Sequence, residues 1–283
     1  MKNKQIFAIF STIFLCLACP MRGAAVDHRA FTIGDMEIIA LADVDADRGG
    51  QNRPELLVGL SGPDAGKYLV PGAMKNSINA FLVKMDGKNI LFDTGLGAAA
   101  GGRVAASLAA AGVDPEQIDV VCITHFHPDH VGGLLKEGKP VFATSRLLVP
   151  RLEVEKNAQG ASTFLAAYAD GLLAFEFGQE VFPGITALDA RGHTPGHTAF
   201  LLESGGGRLL IVADSIHFPG IQLPLPEVAV TYDSDPAQAV AARRMLFDKA
   251  IAEKLPIAAM HIPFPGMGWL GREGTGYAFR EME

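Results

Sequence analysis

The chain of 283 residues is 49% hydrophobic and 19% charged, the proportions of one globular domain of generous size and not of a disordered or fibrous chain. A net charge of −7 argues against nucleic acid or an anionic membrane as partner. Nothing repeats at a fixed period, and no stretch is of low complexity.

Lys2 and Lys4 precede an apolar run from Ile6 to Ala18, and Gly23-Ala24-Ala25 supplies small residues for cleavage. Residues 1–25 therefore read as a secretory signal peptide, too short and too poorly flanked for a membrane span. The expectation is a periplasmic or secreted protein, free of the membrane after cleavage, with residues 26–283 forming one domain. Cleavage removes Cys16 and Cys19 and leaves Cys122 alone, so no internal disulfide can form. It also removes Lys2, Lys4 and Arg22, which leaves 21 basic residues against 31 acidic ones.

Phe31–Val44 reads as strand material turned at Gly34-Asp35. Residues 48–77 form a loop longer than compact domains normally tolerate without a functional reason. Asn79–Lys84 and Asn89–Asp93 predict two short strands joined at Asp86-Gly87. An alanine-rich helix over Arg103–Ala111 stops at Gly112, and the apolar run Val120–Ile123 is a strand in which Cys122 serves as a small hydrophobe. Further helices are expected over Val131–Lys136, Arg146–Asn157 and Ser162–Leu173. Phe175–Leu188 returns to strands, and Thr198–Glu203 with Arg208–Val212 predicts a hairpin. Asp235-Pro236 caps a helix that runs to Lys254. Pro256–Met260 is the last buried strand. Strands, then helices, then the same order again predict an α/β fold of two sheets between helices.

Four apolar segments end in candidate metal donors. Val120–Ile123 leads to His125-Phe126-His127-Pro128-Asp129-His130, Ala187–Ala190 to Gly192-His193-Thr194-Pro195-Gly196-His197, Leu209–Ala213 to Asp214, and Ile257–Met260 to His261. Six of the eight histidines lie in these segments, a clustering that surface or core roles do not explain. Imidazole and carboxylate suit zinc and its first-row neighbours, and a strand end fixes the backbone while the loop turns donors inward.

This ordered set resembles the metallo-β-lactamase superfamily, and Asp93-Thr94-Gly95 upstream fits the same pattern. Within it, His125–Leu134, Gly192–Thr198, Tyr232–Asp235, Pro263–Gly268 and Gly274–Phe279 resemble the methyl parathion hydrolase-like branch of secreted dinuclear hydrolases. The resemblance implies a four-layer αβ/βα sandwich. It implies a first divalent metal, zinc by preference, on His125, His127 and His193. A second would sit on Asp129, His130 and His261, with Asp214 shared. Asp129 would also take a proton during catalysis. Asp93 would orient a ligand imidazole, or simply form a turn, and His197 would bond nearby backbone. His217, three residues beyond Asp214, is a candidate proton donor, or a pocket-rim or surface histidine.

Departures from the pattern sort the branches. No cysteine stands at Asp214, as it does in the commonest zinc β-lactamases, and 22 residues after His261 are too few for the substrate domain of glyoxalase II. No Gly-x-Ser-x-Gly is present. The expected activity is water attack on small esters or lactones. Phosphotriesterase or β-lactamase activity on the same site, or metal binding without catalysis, are the alternatives. Members that degrade organophosphates line their pocket with an aromatic cluster that includes a tryptophan; the single tryptophan here, Trp269, lies past the last donor, a departure that weighs against phosphotriesters. The loop 48–77 and the segment 146–178, with Leu148, Phe164, Tyr168 and Phe175, are expected to shape the pocket. A homodimer is the default for a soluble enzyme.

Overall fold

A computed structural model of the chain describes residues 27–44, 53–60 and 65–283. The expected signal segment with residue 26, residues 45–47, and residues 48–52 and 61–64 of the long loop lie outside the described residues. Among these residues no helix is long and apolar enough to cross a membrane.

The strands of the first sheet follow chain order: β1 (His28–Ile33), β2 (Met36–Val44), β3 (Ile78–Met85), β4 (Lys88–Phe92), β5 (Val120–Cys122), β6 (Arg146–Pro150) and β7 (Leu172–Phe175). The first four pair antiparallel, and β4 to β7 run parallel. The second sheet is again sequential: β8 (Glu180–Phe182), β9 (Ile185–Asp189), β10 (Thr198–Ser204), β11 (Gly207–Ala213), β12 (Pro256–Ala259), β13 (Met267–Glu273) and β14 (Gly276–Glu281). Only β11 and β12 are parallel there.

Alternation at period two assigns each side chain to a layer. Met36, Ile38, Phe81, Val83, Ile90, Phe92 and Cys122 face inward between the sheets, where they meet Phe200, Leu202, Leu209, Ile211 and Met260. Their neighbours Leu41, Leu82, Leu91 and Val121 point the other way, onto helices α1 (Val104–Ala110) and α2 (Arg151–Ala167). Leu201, Leu210, Val212 and Ile257 cover α3 (Pro236–Ala252). Strands buried on both faces need apolar residues at every position, which is why Val120–Ile123 is an unbroken apolar run. The result is the expected αβ/βα sandwich. Phe200 is its keystone, edge-on to Phe92 at 5.2 Å and to Phe175 at 5.7 Å between ring centroids.

Several local expectations are corrected. Arg146–Pro150 is a strand, because Leu147 and Val149 pack outward and Leu148 inward beside β5. One helix, α2, then runs through Gly160 to Ala167, and Leu172–Phe175 is the parallel strand after it. The turn of helix beside the histidine cluster starts earlier than expected, at Pro128, and ends at Val131. Pro256–Ala259 is not last: the hairpin β13–β14 follows. Its Gly268 and Gly271 blur the alternation that would have announced it.

The described part of the long loop is ordered by its own small core. Leu57-Val58 pairs with Ala229-Val230, and Leu56, Tyr68 and Met74 pack on Phe218, Ile221 and Val230.

Candidate metal centre

All seven predicted donors converge at the strand ends where the sheets meet. The first group unites His125, His127, His193 and Asp214, the second Asp129, His130 and His261, with ligand atoms of each group within 4.8 Å of one another. Asp214 spans both. Its Oδ1 lies 3.3 Å from His130 Nε2, and its Oδ2 lies 3.3 Å from His193 Nε2 and 3.0 Å from His261 Nε2. The side chain is aimed by its backbone. The β11–β12 register shifts at Ile211/Ala213, and Ala213 adopts φ 47°. A bulge re-aims side chains, and a left-handed alanine costs about 1 kcal/mol or more.

Four of the five donor imidazoles are held from behind. His130 Nδ1 donates to Asp93 Oδ2 (2.7 Å), His193 Nδ1 to Asp233 Oδ1 (2.9 Å), and His261 Nδ1 to the Ser77 carbonyl (2.8 Å). His125 Nδ1 donates to Thr124 Oγ1 (3.0 Å), whose hydroxyl donates to Asp93 Oδ2 (2.8 Å). With Nδ1 carrying the proton in all four rings, a tautomer assigned from partners, Nε2 keeps its lone pair inward. His125 Nε2, His130 Nε2 and Asp214 Oδ1 are buried with no hydrogen-bond partner. His127 Nδ1 and His193 Nε2 lie at hydrogen-bond distance, 2.9 Å, so one of the two nitrogens carries the proton that they share. Orphaned buried donors of this kind are costly in a protein alone; the set fits divalent metal ions.

The electrostatics point the same way. Burial would raise the Asp214 carboxyl, but His130, His261 and His125 hold it well below the usual range. Burial pushes His125 and His127 down, and neighbouring histidines add to the effect. For His130 burial also acts downward, and the carboxylates Asp214, Asp129 and Asp93 outweigh it.

His197 is not a donor. Its Nδ1 donates to the Ala190 carbonyl (2.7 Å) and its Nε2 accepts from Asp214 N–H (3.1 Å), so both nitrogens are engaged and burial lowers its pKa to about 3. It holds the backbone of Asp214. His217 is no surface histidine: it is buried with Nε2 3.1 Å from Asp214 Oδ2.

Sequence reasoning missed Glu153. From α2 its Oε1 accepts from Thr194 Oγ1 (2.6 Å) and Gly196 N–H (2.7 Å), and its Oε2 from Phe126 N–H (3.1 Å) and Asn157 Nδ2 (2.9 Å). One carboxylate thus ties the loop of His125–His130 to the loop of His193. Asp43, also missed, accepts from Leu96 and Val104 N–H and secures the exit from Asp93-Thr94-Gly95. Asp233 stood inside the segment Tyr232–Asp235 that carried the resemblance, but nothing in its spacing marked its partner. Gly192 is required where it stands: at φ 128° a Cβ would lie 2.0 Å from Ala239 N, at the start of α3.

A cleft of about 460 Å³ opens over the donors, walled by Asn76 and Ser77 at the end of the long loop and by Val44, Ile78, Pro128 and Tyr232. Leu148 and Phe175 lie instead in the core between the sheets, and Phe164, on α2, and Tyr168, at its C-terminus, pack against the outer face of the first sheet, so none of these four shapes it. A larger groove of about 650 Å³ runs past Phe31 and Trp269. It holds no histidine, and its Arg208 pairs with its Glu253 at 2.9 Å.

The class these features define is confirmed by comparison. The family model described as metallo-beta-lactamase superfamily matches residues 74–256, more than half of the chain, and the chain belongs to that superfamily of hydrolases. An N-acyl homoserine lactonase from a Bacillus species is 32% identical over 117 residues, 40% of this chain and 44% of that protein. A ribonuclease from Thermus thermophilus is 31% identical over 152 residues, 49% of this chain and 35% of its own length. The chain therefore spans less than half the length of these curated relatives.

Among solved structures, a hydrolase of the beta-lactamase superfamily, AbOPH, superposes with TM-score 0.80 at 28% identity, covering 92% of this chain and 99% of its own. The dizinc quorum-quenching lactonase AidC, solved with its product, gives TM-score 0.77 at 24% identity over 91% of this chain and 98% of its own; at that identity it shows the fold alone.

Proposed function

We propose that the protein is an exported dinuclear hydrolase of small lactones or neutral carboxylic esters. The observation that carries the reading is the pair of donor groups sharing Asp214 beneath a cleft with a largely apolar wall. His125, His127 and His193 would hold one divalent metal, zinc by preference, and Asp129, His130 and His261 the other. Such a pair, when bound, supplies an activated water at neutral pH and polarises a carbonyl.

The protein's own groups do the rest. Asp129 borders the cleft, and its side chain is 25% exposed while Asp214 is 2% exposed. Burial would raise the Asp129 carboxyl, yet His130 and His261 keep it ionised, ready to take the proton of the attacking hydroxyl and hand it to the departing alkoxide as the tetrahedral adduct collapses. Val44, Ile78 and Tyr232 offer an apolar wall to the acyl or alcohol portion. Trp269 lines the other groove, so the cleft lacks the tryptophan that would favour aryl phosphotriesters. The net charge of −7 sets the reading apart from that of the ribonuclease relative.

Purified protein would be assayed against an acyl homoserine lactone, an aryl ester, an aryl dialkyl phosphotriester and a cephalosporin. Lactone or ester turnover should dominate and be lost in Asp129→Ala. Rates equal to that control on all four substrates would end the enzyme reading, and dominant triester turnover would replace the substrate class.

A further inference from the structure

We propose that His217 is a positioning residue for the shared carboxylate, donating its Nε2–H to Asp214 and fixing it between the two metals. The inference rests on the two-metal reading above, but it concerns a residue outside the seven donors.

The geometry separates this role from that of an eighth ligand. His217 Nε2 lies 3.1 Å from Asp214 Oδ2, and its ring stacks on that of His261 at 5.0 Å and 24°. Distance alone suits either role: ligand atoms of Asp214, His217 and His261 lie within 4.8 Å of one another, as those of the two donor groups do. The far side of the ring decides. His125, His130, His193 and His261 each donate Nδ1–H to a carboxylate, hydroxyl or carbonyl, as metal-bound histidines do. His217 Nδ1 is buried and has no partner. A proton there would be a stranded donor, so the proton belongs on Nε2, where the Asp214 oxygen accepts it. An Nε2–H imidazole has no lone pair left at that atom for a metal.

The surrounding loop is built to hold that ring in place. Gln222 Oε1 accepts from His217 N–H (2.7 Å) and Phe218 N–H (3.0 Å), and its Nε2 donates to the Val228 carbonyl (3.0 Å). Arg243, 1% exposed, donates to the carbonyls of Ser215 (2.6 Å), Pro226 (2.7 Å) and Val228 (2.8 Å). The segment after Asp214 is thereby bracketed on both sides of His217.

The test compares His217→Gln, whose amide N–H reaches the place of Nε2, with His217→Leu, which has no donor. Zn²⁺ affinity would be measured by chelator competition, and site geometry by Co²⁺ absorption and X-ray absorption, with thermal melts of both metal-free variants as a folding check. The Leu variant should bind its weaker metal 10- to 100-fold less tightly, the usual range for an outer partner, with a shifted Co²⁺ spectrum. The Gln variant should stay within a few-fold of the parent with an unchanged ligand count. Unchanged affinity in the Leu variant would overturn the proposal. So would loss of one nitrogen ligand in both variants, which would make His217 a ligand. These readouts use no substrate, so a wrong substrate class would leave them intact, whereas failure to bind two metals would defeat the underlying reading itself.

Discussion

Glu153 offers the sharpest test of how the site is held together. Replacing it with glutamine keeps the shape and removes one acceptor. The amide oxygen can still serve Thr194 Oγ1 and Gly196 N–H, but the amide nitrogen must then face Phe126 N–H and Asn157 Nδ2. Asn157 can turn its own amide to accept; a backbone N–H cannot. The variant therefore strands the Phe126 N–H and loses charge assistance on the remaining bonds. An unsatisfied donor costs about 1–3 kcal/mol, so a net loss of about 2–3 kcal/mol is expected. Glu153→Ala abandons every bond and opens a cavity beside Gly196, and should cost about 3–5 kcal/mol. Urea unfolding of the metal-free protein reads both values, and chelator competition reads the consequence for His127 and His193. A glutamine variant within about 0.5 kcal/mol of the parent, the range of ordinary surface substitutions, would show that the carboxylate does not clamp the two loops.

Three further outcomes are expected. Asp93→Asn keeps an acceptor for Thr124 but takes the charge from the His130 hydrogen bond, so metal affinity should fall about 10- to 100-fold; an unchanged zinc competition curve would exclude this role. Burial opposes charge on His193 and His261, yet Asp214 and the neighbouring Asp233 and Asp129 raise both, His193 to about 9. Metal needs the neutral rings, so binding at pH 7 should release protons and tighten as pH rises towards about 9; calorimetry in two buffers that finds no proton release would contradict it. Stripping metal present at 100 times its dissociation constant should remove about 2.7 kcal/mol of stability. For a chain of this size that is a fall of roughly 5–10 °C in the melting midpoint, and identical melts with and without chelator would argue against a folded-state metal site.

How much of this was readable depends on where the information lies. The donors stand directly after apolar strands, so local chemistry exposes them: His125, His193, Asp214 and His261 each follow a buried run. The partners that aim them are scattered. Glu153 sits in the first turn of α2 and meets Gly196 across 43 residues, and Asp233 meets His193 across 40; no spacing rule links such pairs. Arg146–Pro150 was misread because a short apolar run has no period of its own, and only pairing with β5 makes it a strand. The Leu148, Phe164, Tyr168 and Phe175 set looked like a pocket because aromatic residues serve cores and pockets alike. The cleft is walled instead by Val44, Ile78 and Tyr232, residues that carry no distinctive chemistry.

The division of donors between sheets explains why the fold matters to the chemistry. The ends of the first sheet supply His125, His127, Asp129 and His130, and those of the second supply His193, Asp214 and His261. Each donor group takes members from both, so neither sheet alone can complete either. The spacing between sheets becomes the spacing between ligands. Behind the site Phe200 sets that distance against Phe92 and Phe175. Beside it polar ties fix the register: Thr198 N–H donates to the Thr124 carbonyl (3.0 Å), Asn79 N–H to that of Met260 (2.9 Å), and Asn79 Nδ2 to that of Ile262 (2.8 Å). A dense core resists small displacements, and metal geometry tolerates only a few tenths of an ångström. The apolar sandwich is therefore what allows seven donors drawn from separate loops to act as one centre.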